Sequence, residues 1–179
     1  MGRPQRHRRG DRSLRVRLAI EADLPRLPEI ELSAVDAFQN TSIPPGPLST
    51  ATPAEGWRDA LEQGTLWVVD DQQGTPIGFL GGHRDGGELH ILEFDVEAGH
   101  QGKGLGRLML NHVVAWARAE GLSELTLTTF RNIAWNGPFY AKMGFAEIAD
   151  PDMPEHLAET LKAERARNLE ARCAMRLVL

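Results

Sequence analysis

A single cysteine, Cys173, stands among 179 residues, so no internal disulfide can form. With no activating group near it in sequence, it reads as a small core residue rather than a nucleophile. No apolar run approaches the roughly eighteen residues of a membrane span, and the arginine-rich start lacks the apolar stretch of a signal peptide. A cytoplasmic chain without a membrane partner is therefore expected. The histidines His83, His90, His100 and His112 fall at no metal-ligand spacing, and Cys-x-x-Cys is absent, so no metal is implied. There is one tyrosine, Tyr140, and no internal repeat. What is present, 41% hydrophobic and 25% charged residues, is the composition of one globular domain with a sizeable core.

The net charge of −5 conceals an asymmetry. Residues 1–17 carry seven arginines against Asp11, which leaves −11 on the rest of the chain. Residues 1–12 are accordingly read as a disordered basic tail and residues 13–179 as the domain. An acidic body argues against nucleic acid as the main ligand and suits a cationic partner.

Along the domain, Leu14–Leu18 alternates apolar and basic residues as a half-buried strand does. A helix follows from Glu21, with Leu24, Leu27, Ile30, Leu32 and Val35 as its apolar stripe. Residues 40–53, with Pro44, Pro45, Pro47 and Pro53, read as a loop of the length that is often functional. A short helix over 54–63 stops at Gly64, and the strands Leu66–Val69, Pro76–Gly82 and Glu88–Val96, the last the longest, form an antiparallel meander. Leu105–Ala119 is helical with Leu105, Leu108, Met109, His112, Val113 and Trp116 on one face, and Gly121 stops it. Leu125–Thr129 then returns by a crossover, so it should lie parallel to the strand before the helix. Asn136 is placed to cap a short helix ended by Gly144. A strand from Phe145 to Ile148, a helix over 154–169 and a strand Cys173–Leu179 complete the chain. The sum is an α/β (mixed α+β) fold, a mixed sheet of about seven strands with helices on both faces.

Between the longest strand and the long helix lies Gln101-Gly102-Lys103-Gly104-Leu105-Gly106-Arg107. Alternating glycines at a helix start leave little bulk between a ligand and the unpaired first-turn N–H groups, which suits a phosphate or pyrophosphate. The spacing is not that of a P-loop, since Gly102-Lys103 is followed by Gly104 instead of a hydroxyl residue. Nor is it a dinucleotide fingerprint, because Arg107 stands where the third glycine belongs. It fits Gln/Arg-x-x-Gly-x-Gly/Ala. With Leu92–Val96 before it and Asn136-Gly137-Pro138-Phe139-Tyr140-Ala141-Lys142-Met143-Gly144-Phe145 after it, the stretch resembles the acyl-CoA pyrophosphate loop of the GNAT (Gcn5-related N-acetyltransferase) superfamily.

That resemblance implies a V-shaped splay between the fourth and fifth strands, holding acetyl-CoA. It implies that the main chain of Gln101, Gly102, Lys103, Gly104, Leu105 and Gly106 grips the pyrophosphate, that Lys103 and Arg107 add charge, and that Phe94 and Val96 pair with the pantetheine arm. Asn132 and Asn136 compete for the asparagine that holds the arm. Tyr140 takes the place of the family's acid, and Glu93 that of its base, with Asp95 and His90 as second choices. By strict alternation Asp95 shares the face of Glu93 and His90 does not, although a bulge would change that. Phe38, Trp57 and Trp135 lie where the family builds its acceptor wall. A base is useful for transfer to an amine, because an amine of pKa ~10.4 loses its proton at pH 7 at a cost of roughly 4.6 kcal/mol. The expected activity is N-acetylation of a primary amine by direct transfer in a ternary complex, the acceptor being a small amine or a peptide amine. Two readings compete with it: a protein lysine or N-terminal acetyltransferase, and a non-catalytic acyl-CoA-binding regulatory module. A homodimer is compatible with the family and with exposed strand edges.

Overall fold

The computed structural model describes residues 14–39, 41, 43 and 48–179. The basic tail and Pro44, Pro45 and Pro47 of the Pro-rich loop lie outside the described residues. Seven strands form one sheet: β1 (Arg15–Leu18), β2 (Leu66–Asp70), β3 (Pro76–Asp85), β4 (Glu88–Val96), β5 (Glu124–Phe130), β6 (Ala146–Glu147) and β7 (Arg172–Val178). Their order is β1-β2-β3-β4-β5-β7-β6, and only β4 and β5 pair in parallel among them. The crossover between these two is α3 (Leu105–Ala119). The other α-helices among the described residues are α1 (Leu27–Ala34), α2 (Arg58–Glu62), α4 (Gly137–Lys142) and α5 (Glu155–Ala166). The seven-stranded mixed sheet flanked by helices matches the expectation, though β3, with ten residues, is longer than β4 with nine.

Both faces of the sheet are covered. On one, Leu105, Met109, Leu110 and Val113 of α3 pack with Trp67, Val69, Leu80, Leu89 and Ile91. On the other, Leu24, Leu27 and Ile30 pack with Leu66, Val68 and Phe79. Alternate residues of β2 thus enter opposite cores, which is why a strand reading Leu-Trp-Val-Val is buried throughout. The buried stripe of α3 differs from the expected one: Leu110 and Ala117 are inside, whereas Leu108 is 41% exposed and His112 is exposed. A few tens of degrees of rotation about the helix axis make the difference, and local pattern cannot fix that angle. Cys173 is buried in the α3-side core.

The β3–β4 ladder shifts register between Gly81, opposite Glu93, and Gly82, opposite Ile91, leaving Leu92 as a bulge. Its effect is on direction. Before the bulge Leu89 and Ile91 face α3, and after it Phe94 and Val96 do. Glu88, His90, Glu93 and Asp95 therefore all leave the sheet on the opposite side, so the bulge puts His90 on the face of Glu93, against strict alternation.

Candidate active site

The parallel β4–β5 ladder ends at Ile91 opposite Leu127, while β4 runs on to Val96 and β5 continues beside β7. The two strands part there, and among the described residues no strand lies beside one edge of residues 92–96. The loop that follows is bent by Gly102 and Gly104, whose φ values of 73° and 83° favour glycine. Gln101 Nε2 donates to the Val96 carbonyl at 2.9 Å and Lys103 Nζ to the Gly99 carbonyl at 2.7 Å, so both side chains brace the loop. No described residue accepts a hydrogen bond from the N–H groups of Gly102 through Arg107. They stand together at the positive end of α3, as a bound anion requires.

This loop forms one side of a cavity of about 660 Å³. Phe94, Val96, Gln101, Gly102, Leu105, Gly106 and Arg107 line it along with Gly104, and the α1 end contributes Ala34, Ala37 and Phe38. His100, Trp135, Asn136, Phe139 and Tyr140 complete the wall. Asn136 is at the cavity and Asn132 is exposed outside it. The Asn136 side chain makes no capping bond to α4, contrary to expectation, and its buried Oδ1 has no partner among the described residues. A buried acceptor of this kind is costly unless a donor from a ligand reaches it. The free N–H run and this orphaned oxygen on one cavity wall fit a ligand with an anionic end and an amide-bearing arm, as coenzyme A has.

Tyr140 sits on α4, with its ring against Phe139 at 5.2 Å and Phe145 at 5.5 Å. Its hydroxyl makes no hydrogen bond to a described residue. Burial, with the charges of Glu93 and Asp95 adding, raises its pKa well above the ordinary value, so the phenol keeps its proton. Glycine at 137 is what lets α4 approach, because a Cβ there would lie 2.7 Å from the Arg131 carbonyl oxygen.

Glu93 and Asp95 do not line the cavity but lie within electrostatic reach of the Tyr140 phenol. Both are half-buried by surface area, yet protein mass surrounds the carboxyl groups, and desolvation dominates their ionisation. Burial pushes Glu93 up to about 7, with the charge of Glu31 adding. Burial and then the charges of Glu93 and Glu31 push Asp95 well above the usual carboxylate range. Glu31, on α1, is itself raised by burial and accepts the Thr52 N–H at 3.0 Å. No local motif marks Glu31; only the passage of α1 over β4 brings it here. Arg172 is the nearby cation, held at 2.7 Å to Glu164 and 3.0 Å to Thr128, with its guanidinium 4.6 Å above the Phe130 ring.

Two of the three expected acceptor aromatics come together. Phe38 meets Trp135 edge-on at 5.7 Å and Phe130 at 5.7 Å. Trp57 is placed elsewhere: 3% exposed, it packs on Phe79 in the α1-side core and covers Gly81. His90 lines a second, separate depression with Glu88 and His156.

Residues 32–145 match the model of the acetyltransferase (GNAT) family, and the chain belongs to that family. Its fold is similar to that of a PaiA N-acetyltransferase from Thermoplasma acidophilum in complex with coenzyme A, with a TM-score of 0.70 at 15% identity over 93% of this chain and 99% of that one. It is similar as well to the ribosomal-protein-S18-alanine N-acetyltransferase of Escherichia coli, with a TM-score of 0.65 at 17% identity over 92% and 93% of the two chains. An N-acetylglutamate synthase from Neisseria gonorrhoeae, complexed with coenzyme A and N-acetyl-glutamate, matches with a TM-score of 0.65 at 17% identity, over 93% of this chain but 35% of that one.

Proposed function

We propose that the chain transfers the acetyl group of acetyl-CoA to a primary amine, directly and within a ternary complex. The observation that carries this reading is one cavity lined both by the free N–H groups ahead of α3 and by the only tyrosine of the sequence. The N–H groups of Gly102 through Arg107 hold the pyrophosphate, and Asn136 Oδ1 accepts from an amide of the arm. Acetyl-CoA supplies the acyl group and a thiol leaving group of pKa about 8.5. Glu93, with its pKa pushed up to about 7, is matched to remove the ammonium proton near neutral pH, which frees the nitrogen lone pair to form the new C–N bond. Tyr140 gives its proton to the sulfur as the C–S bond breaks, and the second proton that the nitrogen sheds as the amide forms restores the phenol.

The acceptor is a cation. Beyond burial, the charge of Glu31 raises Glu93 and the charges of Glu93 and Glu31 raise Asp95, and an ammonium group placed beside these carboxyls offsets that repulsion. Phe38 and Trp135 offer apolar and π surface for the chain that carries the ammonium. The test is acetyl-CoA-dependent thiol release across polyamines, aminoglycosides, amino acids and peptides. Cationic small amines should react fastest. Turnover confined to peptides would move the acceptor to a protein amine, and CoA binding without turnover on any amine would leave only the binding module.

A further inference from the structure

We propose that Glu88, His90 and His156 bind a divalent transition ion of the zinc class, tying the start of α5 to the sheet. One ring nitrogen of each histidine and a carboxylate oxygen of Glu88 all lie within 4.8 Å of one another. His156 Nε2 stands 3.2 Å from Glu88 Oε1. Two donors bound at ~2.0–2.1 Å in tetrahedral geometry are about 3.3 Å apart, so an ion would replace the hydrogen bond of this pair without moving either atom. Two imidazoles with one carboxylate favour zinc, cobalt or nickel over magnesium or calcium, which take oxygen donors.

The surroundings point the same way. Thr126 Oγ1 donates its only proton to Glu88 Oε1 and lies 2.9 Å from His90 Nδ1. Towards His90 the hydroxyl must therefore accept, which places the hydrogen on Nδ1 and leaves the lone pair on Nε2. That nitrogen makes no hydrogen bond to a described residue. An Nδ1–H fixed by the hydroxyl that also anchors the neighbouring carboxylate leaves Nε2 as the ring atom of His90 that an ion would take. The strand register adds donors: His83 stands opposite His90 and Asp85 opposite Glu88, on the same face of the β3–β4 ladder, and both line the same depression of about 410 Å³. The earlier expectation of no metal rested on spacing along the sequence, which cannot register ligands divided between β4 and α5.

The test is titration of the untagged full chain with Co²⁺, followed by its ligand-field absorption, and with Zn²⁺, followed by calorimetry and thermal melting. Uptake of one equivalent at micromolar concentration is expected, together with a rise in Tm that a chelator reverses. His156→Ala, at an exposed position that the fold tolerates, should lose the stoichiometric step, and Thr126→Val should weaken it by about 10–100-fold. A parent protein that takes up no stoichiometric ion overturns the proposal. So does uptake that persists unchanged in His156→Ala, which would assign the ion to other histidines such as His7.

Discussion

Replacing Glu93 by glutamine should lower activity and raise stability together, and the two signs are the test. Glu93 in the folded protein is raised to about 7 from an ordinary 4.5. At 1.36 kcal/mol per pKa unit, ionising it in place costs about 3 kcal/mol, or about 2 after allowing for the solvent that reaches a half-exposed carboxylate. Because the folded pKa lies above the unfolded one, the folded state is unpenalised at low pH. The cost then accumulates as pH rises from about 4.5 and is complete above about 7. Glutamine never ionises, and removing the charge of Glu93 lowers the cost at Asp95 too. At pH 8.5 the variant should therefore melt roughly 4–8 °C above the parent, for a chain of this size, and the gap should close towards pH 5. Its kcat/KM should fall by ~10²–10⁴ at neutral pH, and the acidic limb near pH 7 in the parent's profile should vanish. Melting by scanning calorimetry at the two pH values and thiol release between pH 6 and 9 measure both. A variant less stable than the parent at pH 8.5 would mean that a structural partner holds the ionised carboxylate, and the assignment of Glu93 as base would fall with it.

Gly104→Val forces a β-branched residue to φ 83° and covers the adjacent N–H groups, so CoA affinity measured by calorimetry should drop at least tenfold; parental affinity in a folded variant would misplace the anion site. Tyr140→Phe keeps the ring packing on Phe139 and Phe145 while removing the proton, so CoA affinity should survive and kcat fall by roughly tenfold to a few hundredfold. That deficit should shrink with acyl donors whose thiols have lower pKa values, and undiminished turnover where chemistry limits the rate would return Tyr140 to the core. Gly137→Ala sets a Cβ against the Arg131 carbonyl, which should cost ~1–3 kcal/mol in denaturant unfolding and displace Tyr140; a neutral effect would show that α4 is free to shift.

The parts legible in the sequence share a physical reason: each is governed by residues close together along the chain. Gly102 and Gly104 set the bend that frees the N–H groups, and positive φ is a property of single residues. The bounds of α3 and of β4 follow from hydrophobic period and from the turns at either end. The rotation of α3 was not legible, because Leu108 and Leu110 are equally apolar and only packing against the sheet chooses between them. The asparagine choice had the same character: Asn132 and Asn136 differ in nothing but where β5 ends and α4 begins.

The clearest case is β4, where one inserted residue decides what a run of titratable side chains can do. Without the bulge at Leu92, the pleat would send His90 and Glu93 to opposite faces, and one of the two would enter the apolar core under α3. With it, Glu88, His90, Glu93 and Asp95 all leave the sheet on the side away from α3, where α5 meets the first pair and α1 the second. No alternation rule applied to Glu-Leu-His-Ile-Leu-Glu-Phe-Asp-Val yields that outcome, since the sequence reads as an imperfect strand in either register. The local cause lies across the ladder: Gly81 and Gly82 bring no side chains, and the Trp57 ring fills the space over Gly81 within 2.3 Å of where a Cβ would stand. Trp57, expected at the acceptor, thus acts one strand away, helping to hold the bulged ladder that turns Glu93 towards Glu31 and Tyr140.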